Sequence, residues 1–438
     1  MLSDPTLKRI IQNSGRLLTG NAVSAGLGFL QTILMARLLG KVDLGLTTTI
    51  MLFVTDVNRL LSFRMNEVVV QRLGASLVSG QKTEGVAAVK TAMLTEAATS
   101  ILAFFALVAL TPWAAVTFAK NPQTTPFFLL YGLILLGNIT TESSTGTLQA
   151  LRRFDIITRI NIVQSLFTAG IVLYAFLAQR GVFEIILAFT VGKIINGLSL
   201  TFFSMQQMRQ HYGPDWWKTS LRSLPDPRGM FSFMFNTNLN GTVYLFTRDI
   251  ILLILAALLS TAEVSYFKVA LTLINLIMLP LDPLIGPTYT EISRTIAEKD
   301  WKATRRLLRR VSLLTAILVF VIGGGLALTG WFLIPLVFKP ELAPAYPVTL
   351  ILLVGYGFAS IFQWNRPLFL ALGKPGYPML IALLVGVIQL VLIFMLVPQF
   401  GYLALATILS ANFVVSIGII GVRGLREIRQ QEDQKTNL

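Results

Sequence analysis

Seven of the 36 lysines and arginines in this 438-residue chain lie inside stretches otherwise apolar enough to cross a bilayer: Arg16, Arg59, Arg64, Lys193, Arg248, Lys268 and Arg366. Among the carboxylates in those stretches are Asp56, Glu67, Glu142, Asp249 and Asp282, while Glu96 stands alone in an otherwise plain stretch; Asn275 lies midway between Lys268 and Asp282. A charge at the centre of a spanning helix costs about 2.5–3.5 kcal/mol on insertion scales, so it is retained where it faces protein or a hydrated cavity. Arginine offers a planar fork that matches phosphate, and lysine a compact charge. The carboxylates are what coupling to protons or sodium needs. The same residues could instead pair and lock helices together, with Asp56–Arg59 and Arg248–Asp249 close in sequence.

The densest group falls in 44–71. At about 100° per residue, Asp56 and Glu67 come within roughly 20° of each other, flanked by Arg59 and Arg64 and joined by Asn66. Further on, Asn138, Glu142, Thr145 and Gln149 fall along one face. Lys268, Asn275 and Asp282, spaced by sevens, drift only about 40°. Arg16 lies one turn inside the first apolar stretch, where it could snorkel to the interface or face a cavity. Gly20, Ser24 and Gly28 beside it suit close helix packing. Lys193 sits near the middle of its stretch with Asn196 beside it, and Arg366 closes the tenth.

The elements that must carry these residues are membrane helices. The chain is 54% hydrophobic and 13% charged, with a mean hydropathy of +0.70, and apolar runs longer than about 18 residues recur along it. Helical spans are expected near 13–36, 44–71, 88–111, 126–150, 156–178 and 183–207, then near 231–256, 263–290, 308–331, 346–372, 377–397 and 402–423. If the N-terminus is cytoplasmic, the joints on that side hold 24 of the 36 basic residues and the opposite joints 5 (Arg37, Lys41, Lys120, Arg180 and Lys339). That bias is the positive-inside pattern and places both termini in the cytoplasm. The net charge of +15 is therefore topology, and no nucleic-acid partner is implied. The run Arg305, Arg306, Arg309 and Arg310 could also attract anionic lipid, beyond its part in the inside bias.

With no cysteine and one histidine, His211, the chain has no disulfide or thiolate chemistry and no His-based metal site; no cofactor is expected. The joints are too short for a catalytic domain, so an enzyme is not expected either. The longest joint carries Trp216, Trp217, Pro225 and Pro227 among basic residues, as an interfacial anchor and hinge would. The expected organisation is a six-helix bundle over 1–207, a basic cytoplasmic linker over 208–230, a second bundle over 231–423 and a tail over 424–438. Shifting the chain by 220 residues lays Ala36-Arg37-Leu38-Leu39-Gly40 over Ala256-Ala257-Leu258-Leu259-Ser260. Six spans per half would relate the halves by an axis along the membrane normal, a common transporter plan.

The stretch from Asn13-Ser14-Gly15-Arg16 to Ala36-Arg37-Leu38-Leu39-Gly40-Lys41-Val42-Asp43-Leu44-Gly45 resembles the start of the Wzx-type polysaccharide-transporter flippases of the multidrug/oligosaccharidyl-lipid/polysaccharide exporter superfamily. Glu263-Val264-Ser265-Tyr266-Phe267-Lys268-Val269-Ala270 looks like that family's second-half turn, with Ser265 replacing a glycine. Arg248-Asp249 reverses an order common in the family. The resemblance implies twelve helices in two bundles around a V-shaped central cavity, and a flippase moving polyprenyl-diphosphate-linked oligosaccharide from the inner to the outer leaflet of the bacterial cytoplasmic membrane by alternating access. Arg16, Arg59, Arg64, Lys193, Arg248, Lys268, Asn275 and Arg366 would hold the substrate; Asp56, Glu67, Glu142, Asp249 and Asp282 would pair with them or couple ions. Membrane lipids, a polysaccharide polymerase and glycosyltransferases would be its partners. The alternative is a cation-coupled exporter of small molecules, which predicts a lone carboxylate or two in an aromatic-rich cavity.

Overall fold

The computed structural model describes the backbone of residues 5–436 apart from 63–64, 225, 246–249 and 375; side chains are described from 22 to 433 apart from those positions and 233, 236–237, 239–244, 282–284, 286–287 and 290. Every regular element among the described residues is helical. In chain order the α-helices are α1 (Pro5–Leu61), α2 (Met65–Ser79), α3 (Lys82–Thr117), α4 (Thr125–Gly132), α5 (Ile134–Gly137), α6 (Thr141–Ala150), α7 (Phe154–Leu177) and α8 (Val182–Tyr212). They continue as α9 (Pro227–Tyr244), α10 (Ile251–Leu258), α11 (Thr261–Met278), α12 (Ile285–Ala297), α13 (Trp301–Val337), α14 (Ala345–Ile361), α15 (Asn365–Ala371) and α16 (Gly376–Thr436). Nine helical stretches among the described residues are long and apolar enough to cross a membrane. Two of these, Ala22–Leu61 and Gly376–Asp433, contain a glycine with left-handed backbone, Gly40 (φ 71°) and Gly401 (φ 70°). Only glycine takes that conformation cheaply, so each position ends one helical run and starts another, as the expected joints at 37–43 and 398–401 require.

The chain forms two compact units, one of residues 1–39 and 46–257, the other of 40–45 and 258–438. In the first, Ile50, Phe53, Val54, Leu107, Phe128 and Leu135 form one apolar cluster, and Met65, Val68, Leu73, Val89, Met208 and Met234 another. The segment 216–224 belongs to this second cluster through Leu224 and Trp216, and Lys90 Nζ donates to the carbonyls of Trp217 (2.6 Å) and Thr219 (2.5 Å). In the second unit, Ile292, Leu308, Trp364, Leu368 and Ile428 pack together. The glycines of the turn at 36–45 have physical reasons there. A Cβ on Gly45 would lie 1.6 Å from the Thr261 carbonyl oxygen, and the backbone N–H that follows Gly40, that of Lys41, donates to Glu341 at 3.2 Å.

Expected spans at 44–71, 126–150, 263–290 and 346–372 are interrupted among the described residues. The span at 44–71 is not one helix: α1 ends at Leu61 and α2 starts at Met65, so the single charged stripe from Asp56 to Glu67 does not exist as a continuous helical face. The span at 126–150 is α4, α5 and α6 with a break over 138–140, and the span at 263–290 runs α11, a 3-10 turn over Leu279–Leu284, then α12. The latter break separates Asp282 from the helix that carries Lys268 and Asn275. The span at 346–372 breaks between Ile361 and Asn365. Pro280 and Pro283 account for the third interruption, since proline removes a helical N–H and clashes with the preceding turn. The others contain no proline and are held by side chains from neighbouring helices.

Candidate functional site

The breaks after Leu61 and before Thr141 meet at a cavity of about 550 Å³ in the first unit, lined by Asn58, Arg59, Ser62, Asn66, Glu67, Thr141, Glu142, Thr145, Gln149 and Asn238. α1 supplies Asn58 and Arg59 from its last turn, α2 supplies Asn66 and Glu67 from its first, and α6 supplies Thr141 to Gln149. A helix start leaves backbone N–H groups without intrahelical partners, and here two such starts face carboxylates. Glu96, buried on α3 at 3% exposure, accepts from the N–H of Glu142 and of Ser143, each at 2.8 Å. Glu142 in turn accepts from the N–H of Met65 at 3.0 Å. Negative groups at helix N-termini are favoured by both hydrogen bonding and the helix dipole. The two glutamates thus hold α6 to α3 and α2 to α6, and keep the interrupted helices in place around an open polar space.

Close approach of α2 and α6 needs Gly146, where a Cβ would lie 2.7 Å from the Asn66 carbonyl oxygen. Nearby, Thr141 Oγ1 donates to Asn138 Oδ1 (3.3 Å) and Thr145 Oγ1 to the Thr141 carbonyl (2.7 Å). The cavity wall is therefore amide and hydroxyl groups with one arginine and two carboxylates. None of the described lining residues is aromatic. Such a wall can donate to and accept from a hydroxyl-rich ligand at many points, whereas it offers an apolar cation little to stack on.

The structure brings together Arg59, Glu67 and Glu142 of the sequence-expected residues, and Asn66, Thr145 and Gln149 of the expected polar faces, with Asn238 of α9 beside them. Asp56, one turn back on α1, is buried and is not among the lining residues. Lys193 lies elsewhere on α8, exposed, one turn before Asn196, whose amide donates to Asn161 Oδ1 at 3.0 Å. In the second unit Lys268 is half-buried on α11, Asn275 is exposed on the same helix, and Arg366 is exposed on α15. The side chains of Arg16, Arg64, Arg248, Asp249 and Asp282 lie outside the described residues. Sequence reasoning missed Asn58, Ser62 and Thr141, and passed over Glu96 as an isolated acid in a plain helix.

Residues 34–346 match the sequence profile of a family described as polysaccharide biosynthesis protein. An inner membrane protein of Escherichia coli (strain K12), YghQ, is 22% identical over 347 residues, covering 78% of this chain and 96% of that protein. Among solved structures, an inward-facing multidrug resistance MATE family transporter of the MOP superfamily superposes with a TM-score of 0.73 at 10% identity, over 94% of this chain and 96% of that one. The lipid II flippase MurJ in an inward closed conformation gives 0.69 at 13% identity, over 94% and 89%. The Vibrio cholerae MATE transporter VcmN gives 0.64 at 13% identity, over 97% of each chain. At these identities the likeness is one of fold.

Proposed function

The chain belongs to the polysaccharide biosynthesis protein family, and from that premise we propose that it is a flippase that carries a polyprenyl-diphosphate-linked oligosaccharide from the cytoplasmic to the outer leaflet of the bacterial inner membrane. The observation that carries this reading is the wall of the cavity in the first unit: among the described residues it holds three asparagines, a glutamine, three hydroxyl residues, one arginine and two glutamates, without an aromatic ring. Sugars present alternating donors and acceptors, and amides and hydroxyls answer both. Net hydrogen bonds are worth about 0.5–1.5 kcal/mol each, so a handful of them orients a sugar head yet lets it go, as a carrier must. A volume of about 550 Å³ is within the usual range of small-ligand sites, about 300–1,000 Å³. Arg59 supplies the fork for a phosphate or a sugar acid, and the lipid tail stays in the bilayer.

In this reading the transport cycle alternates access, and both termini are cytoplasmic as the basic-residue bias indicates. Lys193, Lys268, Asn275 and Arg366, with Arg16, Arg64 and Arg248, add charge and polarity elsewhere along the substrate path. Asp56, Glu67, Asp249 and Asp282 balance them or couple ions. A polymerase would take the translocated product, and glycosyltransferases would supply the substrate.

The test is reconstitution. Proteoliposomes containing the full chain, loaded with a fluorescently tagged polyprenyl-diphosphate oligosaccharide, are predicted to expose the tag to a membrane-impermeant quencher in a protein-dependent way. No translocation of that lipid, together with ion-driven export of an organic cation, would replace the flippase reading with the exporter.

A further inference from the structure

We infer that the second unit carries a dedicated binding site for the phosphate of an anionic phospholipid, at a cavity of about 510 Å³ formed by α13, the α14–α15 break and α16. Its lining is Arg305, Arg306, Arg309, Ser312, Trp364 and Phe362, with Leu308 and Leu425 beside them. Nothing in the transport proposal uses this cavity, and all of it belongs to one unit.

Spacing comes first. Arg305, Arg309 and Ser312 follow one stripe of α13, and Arg306 is the neighbour one position round, so three guanidinium groups crowd one mouth. Their charge is unanswered: among the described residues no carboxylate pairs with Arg305, Arg306 or Arg309, while nearby Arg294 pairs with Glu291 and Glu298, and Lys374 and Arg423 share Glu427. Arg306 Nε reaches only the Lys302 carbonyl of its own helix, at 3.4 Å. Three adjacent like charges repel, and an anion between them removes that cost. Guanidinium forks match phosphate oxygens bidentately.

The floor is rigid. Trp364 is 2% exposed, and its indole N–H donates to Ser312 Oγ at 2.7 Å, while Ser312 donates to the Ile361 carbonyl at 3.0 Å. Below the arginines the same helix turns apolar and outward: continuing the stripe from Arg309 by fours come Leu313, Ile317 and Val321, exposed by 60%, 53% and 68%. A phosphate at the arginines therefore places an acyl chain directly along an exposed apolar track, which a free phosphate would not use. That continuity identifies a membrane phospholipid as the occupant.

The experiment is native mass spectrometry of the delipidated full-length protein titrated with phosphatidylglycerol, with phosphatidylcholine and with glycerol phosphate. Phosphatidylglycerol is expected to bind the wild type at least tenfold more tightly than either of the others. The triple variant Arg305→Gln/Arg306→Gln/Arg309→Gln is expected to lose at least tenfold of that affinity. A control triple removing equal charge from exposed positions elsewhere, Arg209→Gln/Arg222→Gln/Arg228→Gln, is expected to stay within twofold of wild type. Should the pocket triple not elute as wild type on size exclusion, Arg309→Gln alone decides, with a threefold loss expected. Equal losses in pocket and control variants would mean a diffuse basic surface and overturn the site. Binding of glycerol phosphate as tight as that of the lipid would overturn the lipid assignment.

Discussion

In the first unit α3 holds the interruption before α6 with a carboxylate; in the second, α13 holds the interruption after α14 with a hydroxyl. Glu96 accepts the N–H groups that open α6, whereas Ser312 donates to the carbonyl that closes α14 and accepts from the Trp364 indole. The two long helices are comparable, 36 and 37 residues, and each grips the broken span that follows it. The outcomes differ because the gripping groups differ. A carboxylate at a helix start leaves further N–H groups and polar side chains around an open space, and the cavity there is lined by amides and hydroxyls. A hydroxyl bridged to an indole closes the break with a buried ring, and polarity is displaced outward to the arginines. One architectural interruption thus opens a cavity walled by amides and hydroxyls in one unit and carries an aromatic floor beneath a cationic mouth in the other.

The contrast predicts unequal costs. Glu96→Ala leaves the Glu142 and Ser143 N–H groups buried without their acceptor and is expected to lose about 3 kcal/mol of unfolding free energy, since bonds to charged groups count about 1.5–3 kcal/mol each. Denaturant unfolding in micelles checks it; an unchanged midpoint would break the comparison at its stronger end. Gly146→Val drives side-chain carbons into the Asn66 backbone, for an overpacking cost of about 1–3 kcal/mol. It should also abolish lipid-linked oligosaccharide transport in proteoliposomes, because α2 and α6 must separate. Ser312→Ala removes the partner of the Trp364 indole and should cost about 1 kcal/mol, with transport near wild type. Glu142→Gln keeps an acceptor for the Met65 N–H and should cost less than about 1 kcal/mol, isolating the effect of cavity charge on transport.

That the chain is an all-helical membrane protein was legible from hydropathy, because long apolar runs recur along it, and Gly40 and Gly401 stand at two of the expected joints. The interruptions were not. Ser62 and Asn138-Ile139-Thr140 include no proline or glycine, and the helix starts that follow are bound by Glu142 and Glu96, which lie 77 and 46 residues from the N–H groups they accept. Helical-wheel reasoning on an unbroken 44–71 therefore grouped Glu67, Asn66 and Arg59 for the wrong reason: they meet because two helix ends converge, which the wheel does not represent. Asn58 and Thr141 escaped notice because each marks a helix end, where facing is set by tertiary packing. Pro280 and Pro283 mark the third break in the sequence itself, whereas reading 263–290 as one helix wrongly sets Asp282 on one face with Lys268 and Asn275.

The central claim is that the carboxylate-held cavity of the first unit receives the sugar head. The direct measurement is the flipping rate of a tagged polyprenyl-diphosphate oligosaccharide by Asn58→Leu/Gln149→Leu, two wall changes that touch neither Glu96 nor Glu142. Losing two hydrogen bonds of about 1 kcal/mol each predicts a fall of about tenfold or more, in protein that elutes as wild type. A wild-type rate in that variant would contradict the account.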